Sequence, residues 1–564
     1  MNQTVIAKKV GLILEQEDKA PVQIAGPMSV KAFTYDPDFK RGFGILIQWC
    51  SRVGEHHERV FKMKDILADG GRYMIQVLAD TGLYIHHKQG YWKHIIDYVL
   101  SSSPDETVVT VDQTGWYFNQ FVTPSWTAGF SGQEVIFQNE SAEQLSARGT
   151  CIDWQESVAT LCTNNALMTF TLCAAFAAPL LSKLDWDSFL IHVMGGSKFG
   201  KTTLLRLAAS VCSDFNYCDS WSSTSNGLEA RAKSRNNMIV LLDEFQQADP
   251  ESVLTGVYQL GNGTSKLRAT KNANLQQQFH WSIIGLSTGE ISLAQVLAQA
   301  NRKVQAGQLM RFFEVPLFQK YGAFDDIHGF PSAKEFAEHI SQVTSQQFGT
   351  ALQPFLNQVA SIDNLQEKLQ VKIKSISSMW LDCYELAKSN QIGFATDRFA
   401  LIAAVGELAI EIGALPWNKG SAILEIGKVF EVWAANQDED CNFEERNIKS
   451  HLRQIIPKWQ YSMSSPGEVA KNGWWRYEND ELCWHIHRDA FKRAFKMDFN
   501  NQVTQTALYL NKQGWLHTNE PARGTFKSNI SGRAARNFKF LPVRIAEQLE
   551  LDVDFSRFQQ GGEA

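Results

Sequence analysis

The sequence has no Cys-x-x-Cys pair. Its nine cysteines (Cys50, Cys151, Cys162, Cys173, Cys212, Cys218, Cys383, Cys441 and Cys483) are odd in number and scattered, which argues against both a thiolate zinc site and a disulfide framework. Long apolar runs are missing too. The longest, Ala166 to Leu181, contains Thr169 and Thr171 and falls short of the roughly eighteen residues a bilayer demands, so a buried helix is expected there. The N-terminus offers an apolar stretch of only five residues and no small-residue cleavage site. Without a secretory signal, a cytoplasmic location with no membrane partner is expected. There is no internal repeat.

An overall basic charge is likewise absent: the chain totals −6, which excludes a uniformly basic nucleic-acid coat. The distribution is uneven, however. Between Trp484 and Ile545 eleven Lys and Arg face three acids, an excess of eight, so the remainder carries −14. Such asymmetry suggests a polyanion-binding appendage on an acidic body.

With 564 residues, 44% of them hydrophobic and 20% charged, the chain can build several cores, about three to five domains at roughly 100–200 residues each. Residues 1–145 carry short strand-like runs (GFGILIQW, RYMIQVLA, ETVVTV) broken by Gly, Asp and Pro, which predicts an α+β domain. Within it, Asp36-Pro37-Asp38 reads as a turn, because Asp and Pro are what turns select. His56-His57 reads as a solvated loop, since two adjacent side chains cannot build a tetrahedral site. Residues 146–330 read as a core with preceding helices and 331–437 as a helical region, most periodic from Asp397 to Ala414. Residues 440–545 read as a smaller domain of helices and strands, and 546–564 as a frayed acidic tail.

The core holds the most specific signal. Gly195-Gly196-Ser197-Lys198-Phe199-Gly200-Lys201-Thr202 fits G-x-x-x-x-G-K-[ST], followed by Thr203. Glycines let backbone N–H groups curl around phosphates at a helix N-terminus. The motif follows the strand-like FLIHV and opens the helical KTTLLRLAASVC, the strand-loop-helix order this chemistry needs. Lys201 is expected on the β- and γ-phosphates of ATP and Thr202 on Mg²⁺. Met238 to Glu244 (MIVLLDE) is an apolar run ending in two acids, as a buried parallel strand would deliver to its C-terminal edge. Asp243 would position the Mg²⁺ shell and Glu244 would polarise a water, which suits hydrolysis better than transfer to an acceptor.

Downstream, Gly261 to Glu290 has a β-rich pattern around a turn at Lys271-Asn272-Ala273-Asn274. Alternation places Lys266 and Arg268 on one face and Lys271 near the tip, either a plain surface hairpin or one that grips phosphates. The run WSIIGL ends in Ser287-Thr288-Gly289-Glu290, where either hydroxyl could sense a γ-phosphate. Arg311 directly precedes FFEVP and could reach a neighbouring subunit's γ-phosphate, with Arg302 as rival. Arg398 opens the most periodic helix and could contact nucleotide in its own subunit.

Together these residues resemble a family of mobile-element ATPases long labelled only as a domain of unknown function, which includes self-loading, MCM-like replicative helicases. The resemblance spans about Gly42 to Ala435. It rests on GTCIDW, GGSKFGKTTLLRLAASV, Trp221 with Thr224 to Glu229, LLDEFQQ, VYQLGNGTSKLRA, WSIIGLSTGE, AGQLMRFFEVP and QFGTA. It implies an AAA+-type P-loop core of the superfamily III kind, α/β with a parallel sheet, assembled as a homo-hexamer on DNA. It carries Lys201, Thr202, Asp243, Glu244 and Arg311 onto functional positions and suggests Lys266, Arg268 and Lys271 for a pore hairpin. QFGTA departs from the family, where His-Tyr is common at its start. No primase or zinc module is recognisable, so a primase or polymerase would be a separate chain.

The C-terminal region resembles a winged helix loosely. Helices around Arg446 to Ile455 and Asn501 to Gln513, then the basic stretch with Arg523, Lys527, Arg533 and Arg536, would supply a groove-entering helix and a phosphate-touching wing. The reading is an ATP-driven DNA helicase of a mobile element, single-stranded DNA in its pore and duplex DNA on its C-terminal domain. Its rivals are a non-unwinding initiator or loader and a DNA-binding oligomeric scaffold.

Overall fold

The computed structural model describes all residues except 1–2, 17–18, 89, 140–141, 267–277, 300–310, 385–389, 437–442, 466–471, 496–499, 521–524, 531–532 and 562–564. It falls into two compact units, Met1–Trp433 and Ala434–Ala564. No helix among the described residues is long and apolar enough to cross a membrane.

The first unit opens with an antiparallel meander, β1 (Gln3–Lys8), β2 (Gly11–Gln16) and β3 (Lys19–Ala25). A five-stranded mixed sheet follows, built from β4 (Met28–Tyr35), β5 (Gly44–Cys50), β6 (His56–Lys62), β7 (Glu106–Val111) and, after three short strands β8 to β10 (Gly115–Tyr117, Gln120–Val122, Thr127–Ala128), β11 (Val135–Phe137). Its order is β11-β7-β4-β5-β6. β11, β7 and β4 run parallel, whereas β5 is antiparallel to both neighbours. Helices α1 (Met63–Asp69), α2 (Arg72–Asp80) and α3 (Gly90–Ser101) fill the crossover. They bury Ile66, Ile75, Leu78 and Ile95 against Trp49 and Ile47. Asp36 closes a turn, with Asp36 N–H donating to Arg41 O and Phe39 N–H to Asp36 O.

Two helices, α4 (Cys151–Ser157) and α5 (Ala166–Ala177), precede the second sheet; every residue of α5 is buried, which accounts for the long apolar run without a membrane. The sheet comprises β12 (Phe189–Met194), β13 (Asp219–Ser220), β14 (Ile239–Asp243), β15 (Ile284–Gly289) and β16 (Phe312–Pro316), in the order β13-β14-β15-β12-β16. All neighbours are parallel. Such strands are covered on both faces and read as continuous apolar runs, as FLIHV and IVLL do. Helices α6 (Lys201–Cys212), α7 (Ser225–Ser234), α8 (Pro250–Asn262) and α9 (Leu293–Gln299) connect them. Among the described residues five helices follow between Ala333 and Ala435. The QFGTA segment pairs with the entrance to α4, Arg148 and Phe348 exchanging both backbone hydrogen bonds.

The second unit runs helix Phe443–Trp459, hairpin Gly473–Glu478 with Glu481–Ile486, helices Arg488–Ala494 and Asn500–Lys512, then strand Leu516–His517 and hairpin Phe526–Ile530 with Arg533–Phe540. The acidic tail is not frayed as far as Phe558. That ring is 1% exposed and sits 5.3 Å from Trp475 and 5.7 Å from Trp484, because Leu551, Val553 and Phe555 give the acidic stretch an apolar face that joins the core.

Candidate functional site

The phosphate loop joins the C-terminal edge of β12 to the N-terminus of α6. Gly200, the residue before α6, has φ +85°, and a Cβ there would lie 2.9 Å from the Phe324 ring; glycine meets both demands. The segment after β16 backs the loop: Leu317 N–H donates to Met194 O (2.7 Å) and Ala323 N–H to Phe199 O (2.8 Å). Lys201 turns its ammonium inward, donating to the carbonyls of Gly195 (2.8 Å) and Gly196 (2.6 Å). Burial lowers its pKa, and the carboxylates of Glu290 and Asp243 oppose that shift.

Asp243 ends β14 beside this loop. Its Oδ2 accepts from Thr202 Oγ1 at 2.9 Å, and its Oδ1 accepts from Glu244 N–H at 2.8 Å and from Thr288 Oγ1. Two strand ends and α6 thus converge on one carboxylate. Glu244 is exposed and left-handed at φ +62°, a strained backbone for a non-glycine residue of the kind that clusters at functional sites. Among the described residues no group of three or more His, Cys, Asp or Glu could hold a metal by itself. A hydroxyl and one carboxylate fit Mg²⁺, which keeps few protein ligands and takes phosphate oxygens for the rest.

The two neighbouring hydroxyls separate cleanly. Alternation along β15 points Thr288 toward Asp243 and Ser287 to the opposite face. There Trp221 Nε1–H donates to Ser287 Oγ (2.8 Å), and Ser287 lies 2.8 Å from His192 Nδ1. His192 Nε2 is 3.1 Å from Ile291 O, and a carbonyl only accepts, so Nε2 carries the proton and Ser287 donates to Nδ1. Every group in this buried chain is satisfied, and desolvation lowers the His192 pKa to about 3. Sequence reasoning passed over His192 because it sits inside an apolar strand run, and over Glu290 as a strand-end acid.

Arg311 and Arg398 lie elsewhere. Phe312 pairs with Leu190 at the start of β12, so Arg311 stands at the N-terminal edge of the sheet, packed on Gly261. The helix bearing Arg398 begins at Asn390, so this residue does not open it. Its guanidinium is buried over Trp186 (4.4 Å) and Phe394 (3.9 Å). Burial pushes its pKa down to about 10, Asp397 and Asp187 oppose that, and Arg311 adds to it. Trp186 and Asp187 precede β12, so the structure does not bring Arg398 to the phosphate loop of its own chain. Burial of the long helix against the strand entrance, invisible in its periodicity, sets this position.

Lys266 sits at the base of the expected hairpin, its ammonium on Ser225 Oγ (3.1 Å) and its N–H toward Glu229 (3.4 Å). Arg268, Lys271, Arg302 and Arg523 lie outside the described residues, and of Lys527 and Arg533 only the strand positions are described. Arg536 is exposed but ion-paired with Glu520 (2.9 Å).

Residues 7–280 match the family described as Domain of unknown function (DUF927). The DUF927 span covers the N-terminal sheet, the phosphate loop and Asp243–Glu244, and it ends before β15. No curated protein matches the chain. Among solved structures, one described as "SCCmec type IV Cch - active helicase" is similar in fold, with TM-score 0.57 and 17% identity over 97% of this chain and 99% of that one. The A form apo structure of the NrS-1 C-terminal region (305–718) gives TM-score 0.26 and 11% identity over 71% and 91% of the two chains.

Proposed function

We propose that the chain is an ATP-dependent DNA helicase of a mobile genetic element, working as a replicative homo-hexamer around single-stranded DNA. The observation that carries this reading is the convergence of Thr202, Thr288 and Glu244 N–H on Asp243 beside Lys201, in a parallel sheet ordered β13-β14-β15-β12-β16. This supports an AAA+-type core. Thr202 and Asp243 would hold Mg²⁺, which when bound neutralises charge between the β- and γ-phosphates of ATP.

The chain's own residues then divide the work. The loop N–H groups of Gly196 to Thr203 cradle phosphate oxygens, and Lys201 exchanges two carbonyls for them. Glu244 accepts a proton from the attacking water, and Thr288 orients Asp243 by donating its hydroxyl proton to Oδ1. Arg311, too far from its own loop, completes the neighbouring subunit's site, and Arg398 stands at that same edge. Lys266, Arg268 and Lys271 grip the strand in the pore. In the second unit, two helices followed by a long hairpin follow winged-helix order, suited to duplex DNA; a primase would be a separate chain. Displacement of a labelled strand from a forked duplex by the full chain with ATP and Mg²⁺ tests the proposal. Displacement absent, with DNA and ATP both bound, would leave the loader reading standing instead.

A further inference from the structure

The N-terminal domain contains two cavities, of about 600 and 750 Å³, that meet at Lys62, Lys64 and Gln138. The place follows from topology. β4, β7 and β11 run parallel and end side by side, so Asp36, Asp112 and Gln138, the first residues beyond them, share one edge of the sheet. β6 runs the same way and ends there at Lys62. Ligands of open sheets with parallel strands bind outside such carboxyl ends.

The charges in this groove are unevenly satisfied. Asp36 and Asp38 face Arg41 at 3.8 and 3.7 Å, and Glu58 faces Lys31 and Gln48. Half-buried Lys62 and exposed Lys64 have no carboxylate partner among the described residues. Asp65 and Asp112 remain on the walls, so charge alone does not define the occupant.

Rings do. Phe43 lines the second cavity, and Phe39 and Phe118 directly follow its lining residues Asp38 and Tyr117; the three stand 56%, 56% and 39% exposed in the order Phe43, Phe39 and Phe118, with Tyr35 4.9 Å from Phe39 and Phe118 6.0 Å from Phe39. Phe39 and Phe118 also hold left-handed backbone, at φ +57° and +47°. A bulky residue is strained there, where Gly or Asn would be relaxed. Exposure and strain both count against phenylalanine at these positions, so folding does not explain it. Exposed rings beside unpaired lysines are how proteins hold single-stranded nucleic acid, bases stacked on the rings and phosphates at the ammonium groups.

We propose that this groove binds single-stranded DNA, with bases on Phe39, Phe43 and Phe118 and phosphates at Lys62 and Lys64. The proposal rests on DNA being the partner, and it adds a contact separate from the hairpin and the second unit.

The test uses the full chain with an oligo-dT carrying 4-thiothymidine, cross-linked by light and mapped by mass spectrometry. Cross-links to the peptides bearing Phe39, Phe43 and Phe118 are expected. Phe39→Gly with Phe118→Asn should abolish them and weaken oligo-dT binding about tenfold, while the melting temperature holds or rises because the backbone strain is gone. Lys62→Ala with Lys64→Ala should lower the slope of log affinity against log salt by about 1.4. Basal ATP hydrolysis should not change in either variant. Cross-links confined to residues 264–281 or to the second unit overturn the groove while leaving the DNA reading intact. Absence of any oligonucleotide binding by the chain overturns both.

Discussion

Arg311 and Lys201 stand at opposite edges of one parallel sheet. The arginine precedes Phe312, paired with Leu190 near the start of β12, and the lysine follows the loop that leaves Met194 at its end. At about 3.3 Å per residue, β12 sets them roughly 20 Å apart, so one chain cannot apply both to one γ-phosphate. β16 links the two edges, because its far end continues into the segment that backs the phosphate loop.

Lys201→Ala should abolish ATP hydrolysis, since the phosphates lose the loop's cation. Glu244→Gln should bind ATP with near wild-type affinity and slow its turnover by at least about 10²-fold, the scale of general-base loss. Equilibrium binding of a fluorescent ATP analogue beside steady-state turnover separates these outcomes. Lost affinity in Glu244→Gln would remove the residue from its assigned role.

Ser287 and Thr288 should respond differently to alanine. Thr288→Ala removes a donor to Asp243 at the rim of the site and should depress turnover with little change in melting. Ser287→Ala leaves Trp221 Nε1–H and His192 Nδ1 buried without their partner, costing about 1–3 kcal/mol of stability. Thermal denaturation and turnover of both variants check the assignment; equal effects on both readouts would contradict it.

The same network makes a pH prediction. His192 is neutral when folded, with a pKa near 3, whereas the unfolded chain takes a proton below about 6.5. A depressed histidine pKa therefore favours the unfolded state as pH falls, by up to about 1.4 kcal/mol per unit between the two values. Denaturant midpoints measured from pH 6.5 to 5.0 should fall for the wild type and fall less steeply for His192→Gln. Parallel slopes would mean that His192 titrates normally.

How much of this was legible in the sequence depended on whether a feature was local. The loop, Asp243 and the strand before Ser287 are contiguous patterns, and the buried α5 follows from uninterrupted apolar residues. Which of Ser287 and Thr288 faces Asp243 was not legible, because alternation gives opposite faces without saying which is which. Arg398 was misplaced for a different reason: its surroundings, Trp186 and Asp187, come from more than two hundred residues away. The basic excess of the C-terminal region was overvalued, since Glu478 and Glu481, just outside the segment counted, pair with Lys539 and Arg544.

That pairing sharpens the expectation for duplex DNA. Arg536→Ala should change duplex affinity by less than about threefold, because the guanidinium already faces Glu520 and an exposed ion pair is worth little. Lys492→Ala with Arg493→Ala, on the helix Arg488–Ala494, should weaken binding and reduce its salt slope by about 1–2. Fluorescence anisotropy across a salt series reads both.

Completion of each ATP site by a neighbouring chain is tested by mixing two inactive chains. Arg311→Ala should retain ATP binding and lose about 10³-fold or more in turnover, while Lys201→Ala loses its own site. In mixed rings, the intact loop of an Arg311→Ala subunit can meet the intact arginine of a Lys201→Ala subunit. ATP turnover should reappear on mixing and rise with the fraction of mixed interfaces. Turnover no greater than the sum of the two separate variants, in rings shown to contain both chains, would contradict it.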